Sequence, residues 1–261
     1  MKSPSSKRTA LNSKGKGLRL MKKLELCGVV AACLLSSIVA DAGNLIFVGD
    51  STLAPRKPEQ RIGSWGDSMA DKLKKDWKIV NLATGGATVK SIQNGEPSRW
   101  ERALKAAEKG DFVLVQFGIN DASPKKLVEI PAFKAEFAKF ADAIRETGAT
   151  PVFCSPVTKG TYGKDGKFVR NASRDIYGAA IREVAAEKKV DFVDMTELSC
   201  RVLASMERAA GEDCYVGPKE GKNGKKFFDK IHPSKTGAKR FGEAFIADVK
   251  ARDLPIAKIF K

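Results

Sequence analysis

The sequence is short of histidine, cysteine and acidic charge, and each shortage removes a class of function. His232 is the only histidine in 261 residues. The five cysteines form no C-x-x-C pair and none is spaced with a histidine as a zinc site requires, so no metal is expected. The Gly/Lys-rich stretches 159–169 and 217–228 lack the glycine-to-lysine spacing and the following Ser/Thr of a phosphate-binding loop. They read as loops, and no cofactor is expected. Asp and Glu number 31 against 47 Lys and Arg, a formal charge of +16. A basic surface attracts nucleic acid, acidic polysaccharide or a membrane surface. No basic stretch is interleaved with aromatics, which argues against nucleic acid. There is no internal repeat and, past the N-terminal segment, no low-complexity tract or domain boundary.

The N-terminal segment has a different composition. Residues 1–20 are basic; then come Lys22 and Lys23, an apolar run from Leu26 to Ala40, and small residues at Ala40 and Ala42. That is the layout of a secretory signal. The run falls short of the about 20 apolar residues of a membrane span, so no stable membrane insertion is expected. Cleavage after Ala42 leaves residues 43–261 as one domain in a secreted or periplasmic protein. Translation from Met21 would make residues 1–20 an upstream extension. A lipid anchor at Cys33, after Val30-Ala31-Ala32, is the alternative. Residues 1–42 hold eight Lys/Arg and two Asp/Glu, so the domain keeps a charge of about +10. Cys27 and Cys33 leave with the segment. Of the three cysteines that remain, Cys200 and Cys214 flank a helical stretch at 201–211 and are expected to pair, with Cys154 buried as a thiol.

Five continuously apolar runs, at 44–49, 78–83, 111–118, 150–156 and 190–195, have the pattern of strands buried on both faces of a parallel sheet. Helical patterns occupy 64–76, 98–110, 130–148 and 171–189 between them, and 234–253 after His232. In the third, Phe133, Phe137, Phe140, Ala141 and Ile144 form one stripe. Gly110 and Gly148 read as helix stops and Ser234 as an N-cap. Strands alternating with helices predict a three-layer α/β/α sandwich with a five-stranded parallel sheet. Sites in such sheets form beyond the carboxyl ends of the strands.

Four motifs fall there. Gly49-Asp50-Ser51 follows the first strand, Gly85-Gly86 the second, and Gly118 with Asn120-Asp121 the third; Asp229 and His232 stand near the end. Taken singly, they read as a helix cap, a turn and a loop. Taken together, they supply acyl transfer. A serine hydroxyl needs a base, and His232 is the only histidine. Asp229, three residues earlier in a turn before a helix, can orient the imidazole. The developing oxyanion needs donors: the amides of Ser51 and Gly86 and the side chain of Asn120. Asp50 reads as a support that satisfies turn amides behind the nucleophile.

The ordered set Ser51, Gly86, Asn120 and His232, with Asp229-Lys230-Ile231-His232 as D-x-x-H, resembles the SGNH (GDSL-type) hydrolases over about residues 44–250. The wording GDSTLA, VNLATGGATVKS, FGIND and IHPSKTGAKRFGEAF is similar to the rhamnogalacturonan acetylesterase branch. The resemblance implies a flavodoxin-like sandwich and removal of O-acetyl groups from pectin. It implies an acetylated polysaccharide or oligosaccharide as the partner. One departure stands out: many of that branch carry His where this chain has Ile119. A lipase or thioesterase with the same machinery, or an inactive carbohydrate-binding homologue, are the other readings.

Overall fold

The computed structural model describes residues 42–221 and 224–261; the expected signal and the Cys33 and Met21 alternatives lie outside them, apart from Ala42. In chain order the elements are β1 (Gly43–Gly49), β2 (Trp77–Asn81), α1 (Arg99–Ala106), β3 (Phe112–Gln116), α2 (Ile130–Glu146), β4 (Thr150–Cys154), α3 (Ala172–Lys188), β5 (Asp191–Val193), α4 (Met195–Ala204), α5 (Arg208–Asp213), β6 (Tyr215–Glu220), β7 (Lys226–Pro233) and α6 (Lys235–Ala251). Strands β1 to β5 form one parallel sheet in the order β2-β1-β3-β4-β5. This is the flavodoxin-like order, whose direction of winding reverses at β1 and β3.

The apolar runs explain the layers. Successive strand residues point to opposite faces. Leu45, Phe47, Phe112, Leu114 and Val152 pack on one face with Trp65, Met69, Phe241, Phe245 and Val249. Ile46, Val48, Val113, Val115 and Phe153 pack on the other with the Phe133–Phe137–Phe140 stripe of α2 and with Trp100, Tyr177 and Ile181. Phe137 meets Phe153 edge-on at 4.9 Å between ring centroids. Its truncation to alanine would cost about 3–5 kcal/mol.

Most expected elements stand, three differ, and so does the expected disulfide. The stretch 64–76 is helical only as a 3-10 segment at Asp67–Lys72. Its entry is fixed by close approach, because a Cβ on Gly66 would lie 2.7 Å from Leu53 and 2.8 Å from Phe47. The helix at 98–110 ends at Ala106, before the expected stop at Gly110. The stretch 217–228 is no loop: β6 and β7 pair antiparallel through it. Asp229 and His232 therefore stand on a strand rather than in a turn. The expected Cys200–Cys214 disulfide is not formed, and all three cysteines of the domain are buried free thiols. Cys214, which caps the end of α5, donates its thiol back to the Ala210 carbonyl of that helix at 3.5 Å. Ser234 caps α6 as expected, accepting from the Gly237 amide. Among the described residues no helix is long and apolar enough to cross a membrane, and no group of three His, Cys, Asp or Glu could hold a metal ion.

Candidate active site

The site is assembled at the carboxyl ends of β1, β2 and β3 and completed by β7. At the end of β1 a Cβ on Gly49 would lie 2.7 Å from the Gln116 carbonyl, so the chain leaves the sheet through glycine. The amides of Leu53 and Ala54 then return to the Asp50 carbonyl at 3.2 and 3.0 Å. This single turn presents Ser51. The Asp50 carboxylate lies beneath it, fully buried. One oxygen accepts from the Thr52 amide and lies 2.9 Å from the Thr52 hydroxyl; the other accepts from Gln116 at 2.8 Å. Gln116 is in turn held by Trp65 Nε1 at 3.2 Å. Burial pushes the Asp50 carboxyl up, against the bonds from Thr52 and Gln116 and the field of Arg174. Asp50 thus accepts a turn amide directly behind Ser51. Arg56 donates to the Ser51 carbonyl from the outer side.

From β7, His232 Nε2 stands 3.0 Å from Ser51 Oγ. Its Nδ1 stands 2.9 and 3.2 Å from the two Asp229 oxygens. The spacing of three works on a strand because the chain folds back on the carboxylate: the amides of Ile231 and His232 both donate to Asp229 Oδ1 at 3.1 Å. Asp229 Oδ2 also accepts from Lys219 Nζ at 2.6 Å, across the hairpin. Burial alone would push the Asp229 carboxyl up; hydrogen bonds from His232 and Lys219 outweigh it and hold it well below the usual carboxylate range. A carboxylate, an imidazole and a hydroxyl in sequential contact can pass a proton from the hydroxyl and stabilise the imidazolium that results.

The loops after β2 and β3 carry the two remaining candidates. Gly86 has φ of +75°, the left-handed region that favours glycine. Its carbonyl accepts from Lys126 Nζ at 2.6 Å. Asn120 donates one side-chain N–H to the Ala87 carbonyl at 2.9 Å, which leaves the other N–H for a second acceptor. Direct hydrogen bonds bring Ser51, Asp229 and His232 together; Gly86 and Asn120 belong to one bonded pair of loops beside them.

Three residues escape sequence reading. Asp121 is fully buried and accepts the Val89 amide on one oxygen and the Gly118 amide on the other, both at 2.9 Å, tying the two loops together. Burial, with a contribution from Asp50, raises its carboxyl to about 6. Lys219 is hidden because the hairpin is hidden: Phe227 and Phe228 are both exposed, so no alternation marks the strand. Arg174 in the first turn of α3 is buried, and its Nε has no partner.

Comparison with known proteins finds relatives of this chain. The model of the GDSL-like lipase/acylhydrolase family matches residues 47–240. A probable rhamnogalacturonan acetylesterase of Bacillus subtilis, YesY, is 28% identical over 83% of this chain and 97% of its own length. The rhamnogalacturonan acetylesterase RhgT of the same organism is 29% identical over 58% of this chain and 64% of its length. Among solved structures, the Bacillus subtilis protein YxiM superposes with a TM-score of 0.69 at 22% identity, covering 82% of this chain and 58% of that one. A catalytic mutant of Axe2, an acetylxylan esterase from Geobacillus stearothermophilus, superposes with a TM-score of 0.57 at 21% identity, covering 79% and 93%.

Proposed function

The chain belongs to the GDSL-like lipase/acylhydrolase family, and from that premise we propose that it is a serine esterase that removes O-acetyl groups from a carbohydrate. The observation that carries this reading is the continuous contact from Asp229 through His232 to Ser51 Oγ. Ser51 attacks the acetyl carbonyl carbon while His232 Nε2 takes its proton. The amides of Ser51 and Gly86 and the Asn120 side chain stabilise the oxyanion. The sugar alkoxide leaves as the C–O bond breaks and takes the proton from His232. Water, deprotonated by His232, then releases acetate from Ser51. Asp229 holds the imidazole and balances its charge, and Asp50 keeps the turn in place. Neither a metal nor a cofactor enters any step.

Acetylated rhamnogalacturonan is the substrate this reading favours, supported by the names of YesY and RhgT. The protein is read as secreted or periplasmic, with a leader removed after Ala42. N-terminal sequencing of exported protein should return Gly43 as the first residue. Acetate release from acetylated pectin, xylan and glucomannan by wild type and Ser51→Ala tests the activity. Release from none of them, with a preference for octanoyl over acetyl p-nitrophenyl esters, would move the protein to the lipases.

A further inference from the structure

The loops after β2 and β3 meet at three points, one of them the bond from Asn120 to the Ala87 carbonyl. Asp121 joins them beneath, and Lys126 joins them at the Gly86 carbonyl. Between them lies an open cavity of about 540 Å³. That lies within the range of about 300–1,000 Å³ typical of ligand sites. Its lining includes Lys90, Lys125 and Lys126 and no carboxylate. Lys90 and Lys125 enter no salt bridge among the described residues, whereas many other surface cations of the domain do. Glu136, on which Lys90 acts, is already held by Gln93 and Lys139 at 3.0 Å each. Three lysines therefore line one hollow whose own lining holds no carboxylate, Glu136 near Lys90 being shared with Gln93 and Lys139. Asn94 adds an amide, and exposed Leu127 adds an apolar surface. Amides bond sugar hydroxyls, and an apolar side chain covers the C–H face of a pyranose.

The geometry points to this cavity as a subsite for a uronate unit of the substrate chain, with Lys90, Lys125 and Lys126 reading the carboxylate. The assignment rests on the carbohydrate reading of the neighbouring site. It deepens that reading by giving the acidic polysaccharide a place where its carboxylate is read, beside the loop that carries Gly86. Lys126 connects the two functions, because the same ammonium that faces the cavity holds the Gly86 peptide. Opposite charge brings such a chain in faster and is screened over about 10 Å at 0.1 M salt.

Isothermal titration of the whole domain with trigalacturonate and with neutral mannotriose tests the subsite. Trigalacturonate should bind about tenfold tighter or more, a difference of about 1.4 kcal/mol. The preference should vanish in Lys90→Gln/Lys125→Gln. It should persist in Lys105→Gln, which removes the same kind of charge from the last turn of α1, outside the lining of the cavity. The double variant should also lose more of its kcat/KM on acetylated rhamnogalacturonan than on acetylated glucomannan. Equal binding of the two oligosaccharides, or a preference that survives the double variant, overturns the subsite. If that happens while acetylated glucomannan is still turned over, the esterase reading stands without the subsite. If no acetylated polymer is turned over, both fall.

Discussion

Lys219 and His232 hold the same oxygen: Asp229 Oδ2 lies 2.6 Å from Lys219 Nζ and 2.9 Å from His232 Nδ1. A second cation is thereby placed against the carboxylate that stabilises an imidazolium in the proposed mechanism. Asp229 is only 6% exposed, so the lysine's charge is poorly screened there.

Replacing Lys219 with methionine removes that competing charge and favours a proton on the imidazole. The base is then protonated over a wider range, so the acid limb of kcat/KM should move to higher pH by about 0.5–1 unit. Lys219→Arg should restore the wild-type limb. The pH profile of p-nitrophenyl acetate hydrolysis measures this. An unmoved limb would mean that Lys219 serves only as a latch on the hairpin.

The contacts of Ser51, His232 and Asp229 predict a graded loss. Ser51→Ala and His232→Ala should each remove nearly all turnover while leaving the fold intact. Asp229→Asn should cost about 10⁴ in kcat, because the amide favours the wrong tautomer of the ring. The measurement is acetate release with thermal unfolding as the control. A His232→Ala variant that retained a tenth of its activity would show that the base lies elsewhere.

How much of this was legible follows from where the signals were local. The sheet could be read because its strands are buried on both faces, which leaves continuous apolar runs such as Phe112–Gln116. Ser51, Gly86 and Asn120 could be placed because each stands just past such a run. The hairpin could not be read, since β7 exposes Phe227 and Phe228 and buries Asp229, the inverse of an amphipathic strand. Lys219 was hidden with it. Asp121 lay in plain view but looked like a loop residue; only burial and its two amide partners, 32 positions away in the opposite loop and three positions away in its own, give it a role. The Cys200–Cys214 expectation failed because proximity in sequence says nothing of which way a thiol points.

Asn120 should act in the transition state. Its amide is already oriented by the Ala87 carbonyl, so no reorganisation is needed when charge develops. Asn120→Ala should therefore lower kcat by about 10²–10³ and change KM little. Steady-state kinetics on p-nitrophenyl acetate give the split. A rise in KM at constant kcat would instead make Asn120 a substrate contact.

Asp121 gives a stability signature of unusual sign. Its carboxyl titrates near 6 in the folded protein, above the ordinary 3.8, because burial outweighs the two amide bonds. A raised value means that the folded state binds the extra proton. The contribution is fully present below the ordinary carboxylate value and is lost as pH rises through about 6. Asp229 has the opposite sign: its value is depressed, so its contribution is present at neutral pH and is lost on acidification. The two must be separated by difference. Between pH 7.5 and 4.5, wild type should gain about 2 kcal/mol relative to Asp121→Asn, which cannot titrate. Asparagine keeps one acceptor where the carboxylate offered two, so the variant should also loosen either Val89 or Gly118 at every pH. Urea unfolding of both proteins at the two pH values measures the difference. A gap that does not change with pH would mean that Asp121 titrates alike in the folded and unfolded chains, and that the loops bearing Gly86 and Asn120 are joined without cost.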